Sequence, residues 1–283
     1  MELRSVNNDN TKINTKSQMT FIFTMVGIIL LALVSATYAW FTLSATNQLD
    51  MLEINAHTGT ALRFDTFNHG NDIDSYIQNV TPSRINSALS VNGKFTLDEL
   101  KLEDLTSGDG YTFYRKEANE TGGKPITFER GDGVLVVDFY FISEEDMYVH
   151  LSPVSEGEMK GTEVKPADDR KESLYAYNCL RLSFVSEAGE VAIYEPSGQN
   201  DTKVIGQAAT GEQTRVFTLE DPESFKYTNE NKLFFLEKNK VKKVTMYAWI
   251  EGEDPDCNDE ANNGSVEIGL KFVGTDENNK PIR

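Results

Sequence analysis

Residues 265–273, SVEIGLKFV, alternate apolar and polar side chains along most of their length. Val266, Ile268, Leu270 and Phe272 fall on one face, and Glu267 and Lys271 on the other. A period of two is the period of a half-buried β-strand. It recurs in MLEINA (51–56), where Leu52, Ile54 and Ala56 share a face, and in TALRF (60–64), MYVHLS (147–152), LYAYNCLRLSFV (174–185) and VKKVTMYAWIEGE (241–253). EVAIYE (190–195) follows the fourth of these after a short loop, which predicts a hairpin. KLFFLE (232–237) adds a short strand. GVLVVDFYFI (133–142) is apolar on both faces apart from Asp138, as a strand covered on both sides would be.

Strands in this number, separated by polar loops, predict an all-β fold: an antiparallel β-sandwich of jelly-roll type. Parallel βαβ units would need amphipathic helices between the strands, and the pattern offers one. TLDELKLEDL (96–105) has Thr96 as an N-cap, acids in its first turn and Leu97, Leu100, Leu102 and Leu105 on one side. The rest of 65–130 reads as a loop-rich insertion, and 152–173 and 196–213 as long exposed loops.

The start of the chain follows different rules. Residues 17–49 carry no charged side chain, and FIFTMVGIILLALV (21–34) is almost continuously apolar. Lys12 and Lys16 lie upstream, and the small residues Ala32, Ser35, Ala36 and Ala39 close the run. A basic flank, an apolar core and small residues form the signature of a secretory signal peptide, with cleavage after Ala39 making Trp40 the first mature residue. The competing reading is an uncleaved anchor. From Phe21 to Leu43 the run is long enough to span about 30 Å of hydrocarbon, with Tyr38 and Trp40 at the outer interface. Either way the basic flank stays inside and the remainder is exported. The expected organisation is therefore 1–39 as signal peptide or anchor and 40–283 as one exported domain, secreted or at the cell surface. The only membrane contact expected is through the N-terminal run.

Charge narrows the partners. The 283 residues carry a net charge of −18. Residues 1–40 hold Arg4, Lys12 and Lys16 against Glu2 and Asp9, so the acidity belongs to the exported part. Such a body repels phosphate backbones, which argues against nucleic-acid binding, and it attracts cations. Two cysteines, Cys179 and Cys257, allow one bridge or two free thiols, and the sequence leaves both open.

No catalytic motif stands out, and the chain reads as a non-enzyme. His57, His69 and His150 have no metal-ligand spacing. His150 falls opposite Met147 and Val149, on the outward face of its strand, in a structural or solvated role. There is no G-x-S-x-G and no P-loop. In EGEDPDCNDEANNG (251–264), Asp254, Asp256 and Asn258 have a D-x-D-x-N spacing that would let three oxygens converge on calcium. The loop departs from an EF-hand, with Asp259 at the sixth position and Ser265 at the twelfth. The alternative is a solvated acidic hairpin loop turned by Pro255. Tyr247 and Trp249 share a strand face, where they would either stack on sugars or pack beneath a loop. No other cofactor is expected.

ATYAWFT, closing an apolar core and followed by LDMLEINA, resembles the start of the TasA/camelysin family of secreted Gram-positive proteins, which are exported through a SipW-type signal peptidase. MYAWIEGEDPDC (246–257) is similar to a segment common in Firmicutes proteins with such leaders. The resemblance covers these two stretches and not the middle of the chain. It implies a jelly-roll domain at the cell surface, assembly into biofilm-matrix fibres, and partners that are further copies or matrix and cell-wall components. It also implies that the N-terminal strand of one subunit completes the sheet of the next. Residues 40–50 suit that pairing physically, because they are uncharged until Asp50 and an exposed sheet edge accepts an extended segment. Trp40, Phe41, Leu43 and Leu49 would be the apolar contacts. The plainer alternative is that they lead into the first strand of their own subunit. A third reading is a monomeric adhesin or a carbohydrate- or calcium-binding module.

Overall fold

The computed structural model describes residues 22–30, 47–56, 61–93, 96–115, 132–157, 159–198, 214–257 and 263–282. The chain divides into two units, Met1–Ser44 and Ala45–Arg283. In the first, residues 22–30 are helical. Their large side chains are uncovered, with Phe23 70% and Ile22 58% exposed. Among the described residues, no helix is long and apolar enough to cross a membrane.

The second unit is predominantly β. Its first half contains β1 (Asn47–Ala56), β2 (Leu62–Asp65), β3 (Asn79–Val80), β4 (Lys101–Leu102), β5 (Asp104–Thr106), β6 (Tyr114–Arg115), β7 (Asp132–Gly133) and β8 (Leu135–Ser143). Its second half adds β9 (Met147–Leu151), β10 (Glu163–Pro166), β11 (Leu180–Ser186), β12 (Val191–Tyr194), β13 (Thr214–Phe217), β14 (Lys232–Leu236), β15 (Lys242–Glu251) and β16 (Ser265–Thr275). One sheet runs β14-β9-β16-β1-β4-β7, with β10 also on β16 and β3 also on β1. The other runs β13-β12-β11-β15, and β15 carries both β8, which leads to β2, and β5, which leads to β6. The predicted hairpin is present as β11 and β12, paired antiparallel.

The expectation of purely antiparallel sheets is corrected. Both are mixed, since β1–β16 and β4–β7 are parallel in the first and β12–β13 and β15–β5 in the second. Strand β1 enters in the middle of its sheet and takes the last long strand as its neighbour, running the same way.

Phenylalanines from both sheets fill the space between them. Phe141 lies 5.1 Å from Phe272 and 4.9 Å from Phe234, ring to ring, and Phe184 lies 5.8 Å from Phe272. Each such ring withdraws enough apolar surface to contribute roughly 2–3 kcal/mol. A second apolar cluster sits on the opposite face of β8 and β15. Val134, Val136 and Trp249 pack there under Phe113 and Leu105, with Phe113 and Trp249 5.2 Å apart. This covering explains why β8 is apolar on both faces. It also places Trp249 beneath a neighbouring segment and not on the surface. Gly110 makes the close approach, at φ +80, where an added Cβ would lie 3.0 Å from the Cβ of Ser183.

Three sequence expectations change. The first half of 174–185 is not strand, because Lys171–Cys179 is a helix that hands over to β11 at Leu180. The expected helix over 96–105 shrinks to a single 3-10 turn, Leu97–Glu99, before β4 and β5. Glu99 still accepts from the Thr96 amide at 2.8 Å, so the predicted cap forms without a helix behind it. A helix absent from the sequence reading occupies Pro82–Gly93. Its start was legible: Thr81 Oγ1 accepts from the Arg84 amide at 3.4 Å, and Pro82 takes the first helical position.

Candidate functional site

The acidic turn after β15 folds back against the start of β11, and the site forms where they meet. Glu251, at the end of β15, accepts from Trp249 Nε1 at 3.0 Å and from the Glu253 amide at 3.2 Å. Pro255 lies in the turn that follows. The Asp254 amide donates to Glu251 O at 3.1 Å, and the Cys257 amide to Asp254 O at 2.9 Å.

This turn presents Asp254 to Arg181. Arg181 Nη2 donates to Asp254 Oδ2, while Nη1 donates to the carbonyls of Asn178 at 2.8 Å and Leu180 at 2.9 Å. Nε faces Glu195 Oε1 at 3.3 Å. The Arg181 side chain is only 1% exposed. A second link runs from Asn178 Nδ2 to Asp256 Oδ2 at 2.9 Å. Burial holds the carboxyls of Glu251 and Glu195 above the ordinary range; hydrogen bonds from Trp249 oppose the first shift and the Arg181 charge opposes the second. One buried guanidinium thus faces two acids, Asp254 and Glu195.

The calcium candidates are placed as follows. Asp254 faces inward, with one oxygen on Arg181 and the other on the Asp256 amide at 2.9 Å. Asp256 accepts from Asn178. Asn258 lies outside the described residues. Among the described residues, no group of three His, Cys, Asp or Glu side chains stands where it could hold a metal ion. A guanidinium against Asp254 also sets a positive charge where a cation would need a negative one.

Cys179 and Cys257 lie in the same cluster, both buried and unbridged. The neighbouring Cys257 side chain, with burial, pushes the Cys179 thiol well above the ordinary range.

His150 is corrected from an outward, solvent-side position to a buried one. Its Nδ1 hydrogen-bonds Asn231 Oδ1 at 2.9 Å, and its Nε2 hydrogen-bonds Thr275 Oγ1 at 3.1 Å. The segment carrying Tyr227 and Asn231 covers that face of β9, with the Tyr227 ring 5.3 Å from the imidazole. Burial pushes its pKa down to about 4, helped by the Lys232 and Arg215 charges. Lys271, expected to face solvent, is likewise covered, its ammonium donating to Val154 O at 2.8 Å beneath a loop expected to be exposed.

The assembly candidates divide. Trp40, Phe41 and Leu43, like the junction at Ala39 and Trp40, lie outside the described residues. Leu49 lies inside β1, 2% exposed and paired with Val266 of its own chain. At the far edge of the same sheet, β14 is capped by side chains. Arg215 donates to the carbonyls of Lys232 at 2.9 Å and Leu233 at 3.1 Å. The Phe235 amide donates to Glu190 Oε1 at 3.2 Å. Groups that would template a foreign strand are thereby occupied.

No known protein family, characterised protein or solved structure matches this chain.

Sequence reasoning missed Arg181 and Arg215. A lone arginine between Leu180 and Leu182 in a strand-forming run is a signal that something must cover it, but nothing in the run names the partner. Arg215 follows a stretch with no strand pattern.

Proposed function

We propose that this protein is an exported, non-enzymatic component of the cell surface or extracellular matrix, secreted or held by its N-terminal run. Its domain is read as a jelly-roll sandwich, and it assembles with further copies through the segment ahead of β1. The observation that carries the reading is the helix at 22–30. Its large apolar side chains have no cover, Lys12 and Lys16 precede it, and a charge-free stretch leads from it to the first strand. Such a helix is stable in lipid or in an export channel and is out of place in water.

Two tests address the reading. Mass spectrometry of the form released by the host reads its first residue, expected at Trp40; a chain starting at Met1 in the culture medium would contradict it. Electron microscopy of residues 40–283 should show fibres that disappear when 40–46 are removed. That deletion leaves β1 intact, because β1 begins at Asn47. A strictly monomeric protein under all conditions would sink the assembly part.

One observation favours a second reading, a monomeric binding module. A groove of about 410 Å³ beside Val216, Phe225 and Asn231 adjoins another of about 560 Å³ beside Pro153, Tyr194 and Leu219, and both include Glu220. Glycan-array binding by a monomer, lost in Phe225→Ala, would favour that reading.

A further inference from the structure

We propose that Cys179 and Cys257 are an oxidisable pair that forms a disulfide locking the acidic turn 254–257 onto the start of β11. Two contacts bring the two segments together independently of the sulfurs, and a third closes the turn. Asp254 binds Arg181, Asp256 accepts from Asn178 at 2.9 Å, and the turn closes on itself through the Cys257 amide and Asp254 O at 2.9 Å. Residues 178–181 are thus held against residues 254–257, with a cysteine on each side. Both thiols lie in the same apolar core, and Cys257 is the neighbour that most raises the Cys179 thiol. A disulfide between two segments anchored in this way forms once side-chain rotation brings the sulfurs to the bonding distance of about 2 Å.

The chemistry is thiol–disulfide exchange with a small-molecule disulfide such as oxidised glutathione. Cys257 is the entry point, because it is 7% exposed while Cys179 is fully covered. The Cys257 thiolate attacks one glutathione sulfur, breaking that S–S bond and releasing one glutathione thiolate. Cys179 then gives up its proton and attacks the Cys257 sulfur of the mixed disulfide, expelling the second glutathione. The two protons lost by the cysteines end on the two glutathione thiols. Two protein thiols are oxidised and one reagent disulfide is reduced.

The raised Cys179 pKa makes the second step the slow one, since a buried thiol gives up its proton reluctantly. The proposal does not depend on the export reading. A chain that proves not to be exported would still carry the pair, and a chain whose thiols refuse to join would leave export untouched.

The test uses the full chain, reduced, freed of reductant in mild detergent and exposed to oxidised glutathione. Intact mass should fall by two hydrogens. Trypsin without reductant should then release the peptides 172–181 and 244–271 as one species, separated by dithiothreitol. In Cys179→Ser the reaction should stop at a glutathione adduct on Cys257. The proposal is overturned by a wild-type chain that stops at that adduct, by a covalent dimer, or by two thiols that stay unreacted until denaturant is added.

Discussion

Leu49 sits opposite Val266 in the parallel ladder between the first and last long strands, although its sequence parity places it on the wrong face. Leu52, Ile54 and Ala56 are buried at even positions. The register slips between Leu49 and Met51, and this bulge at Asp50 returns Leu49 to the buried side. Leu49→Ala should therefore lower the stability of the isolated subunit by about 2–4 kcal/mol, read from the urea midpoint. An unchanged midpoint would mean that this end of β1 does not belong to its own sheet.

His150 makes the fold acid-sensitive. Its folded pKa is held near 4 by burial, below the ordinary value of 6.5. The unfolded chain therefore binds a proton first as pH falls. The contribution from neutral His150 is complete above pH 6.5 and is lost between 6.5 and about 4. The loss is on the order of 3 kcal/mol. Urea denaturation of His150→Gln across this window should show a flatter pH profile than the wild-type chain.

Arg215→Ala should uncover the β14 edge by freeing the carbonyls of Lys232 and Leu233. Hydrogen bonds from a charged donor contribute about 1.5–3 kcal/mol. The clearer readout is association: light scattering at fixed concentration should rise, because the freed edge accepts strands from other molecules. Arg215→Lys, which reaches fewer carbonyls, should fall between the two.

Arg181→Ala should destabilise the domain by about 3–5 kcal/mol, because Asp254 and Glu195 would remain buried without their cation. Asp254→Asn should be milder and equally visible in calcium-free buffer. Adding calcium to the wild-type chain should leave its melting temperature unchanged, since the carboxylate that would lead the coordination is bound to arginine. A calcium-dependent rise would reopen the D-x-D-x-N reading.

Oxidation of Cys179 and Cys257 would close a loop of roughly eighty residues, for which the chain-entropy model gives about 4.5 kcal/mol. Differential scanning calorimetry with and without dithiothreitol should show the oxidised form melting higher. The difference should vanish in Cys257→Ala.

Strand positions were legible where one face is buried and the other is less so, as in the first half of β16, where buried Val266, Ile268 and Leu270 alternate with the half-buried Glu267 and Gly269. The pattern misled where a covering segment comes from far along the chain. His150 and Lys271 looked solvent-facing because their own strands alternate, and loops from elsewhere bury both. In 174–185 a short helix of low amphipathicity preceded the strand, and an alternating apolar pattern over a few residues cannot separate the two.

The sequence by itself determined the longer strands such as β1, β8, β9, β15 and β16, the acidic character of the body and the uncharged apolar run at the start. Those are local matters of period, composition and charge. Only the tertiary structure decided that the first strand runs parallel to the last, that Arg181 takes the leading acid of the D-x-D-x-N candidate, and that two distant cysteines share one core. Each depends on contacts between residues far apart in the chain, and no local pattern encodes which distant partner a buried charge or thiol will find.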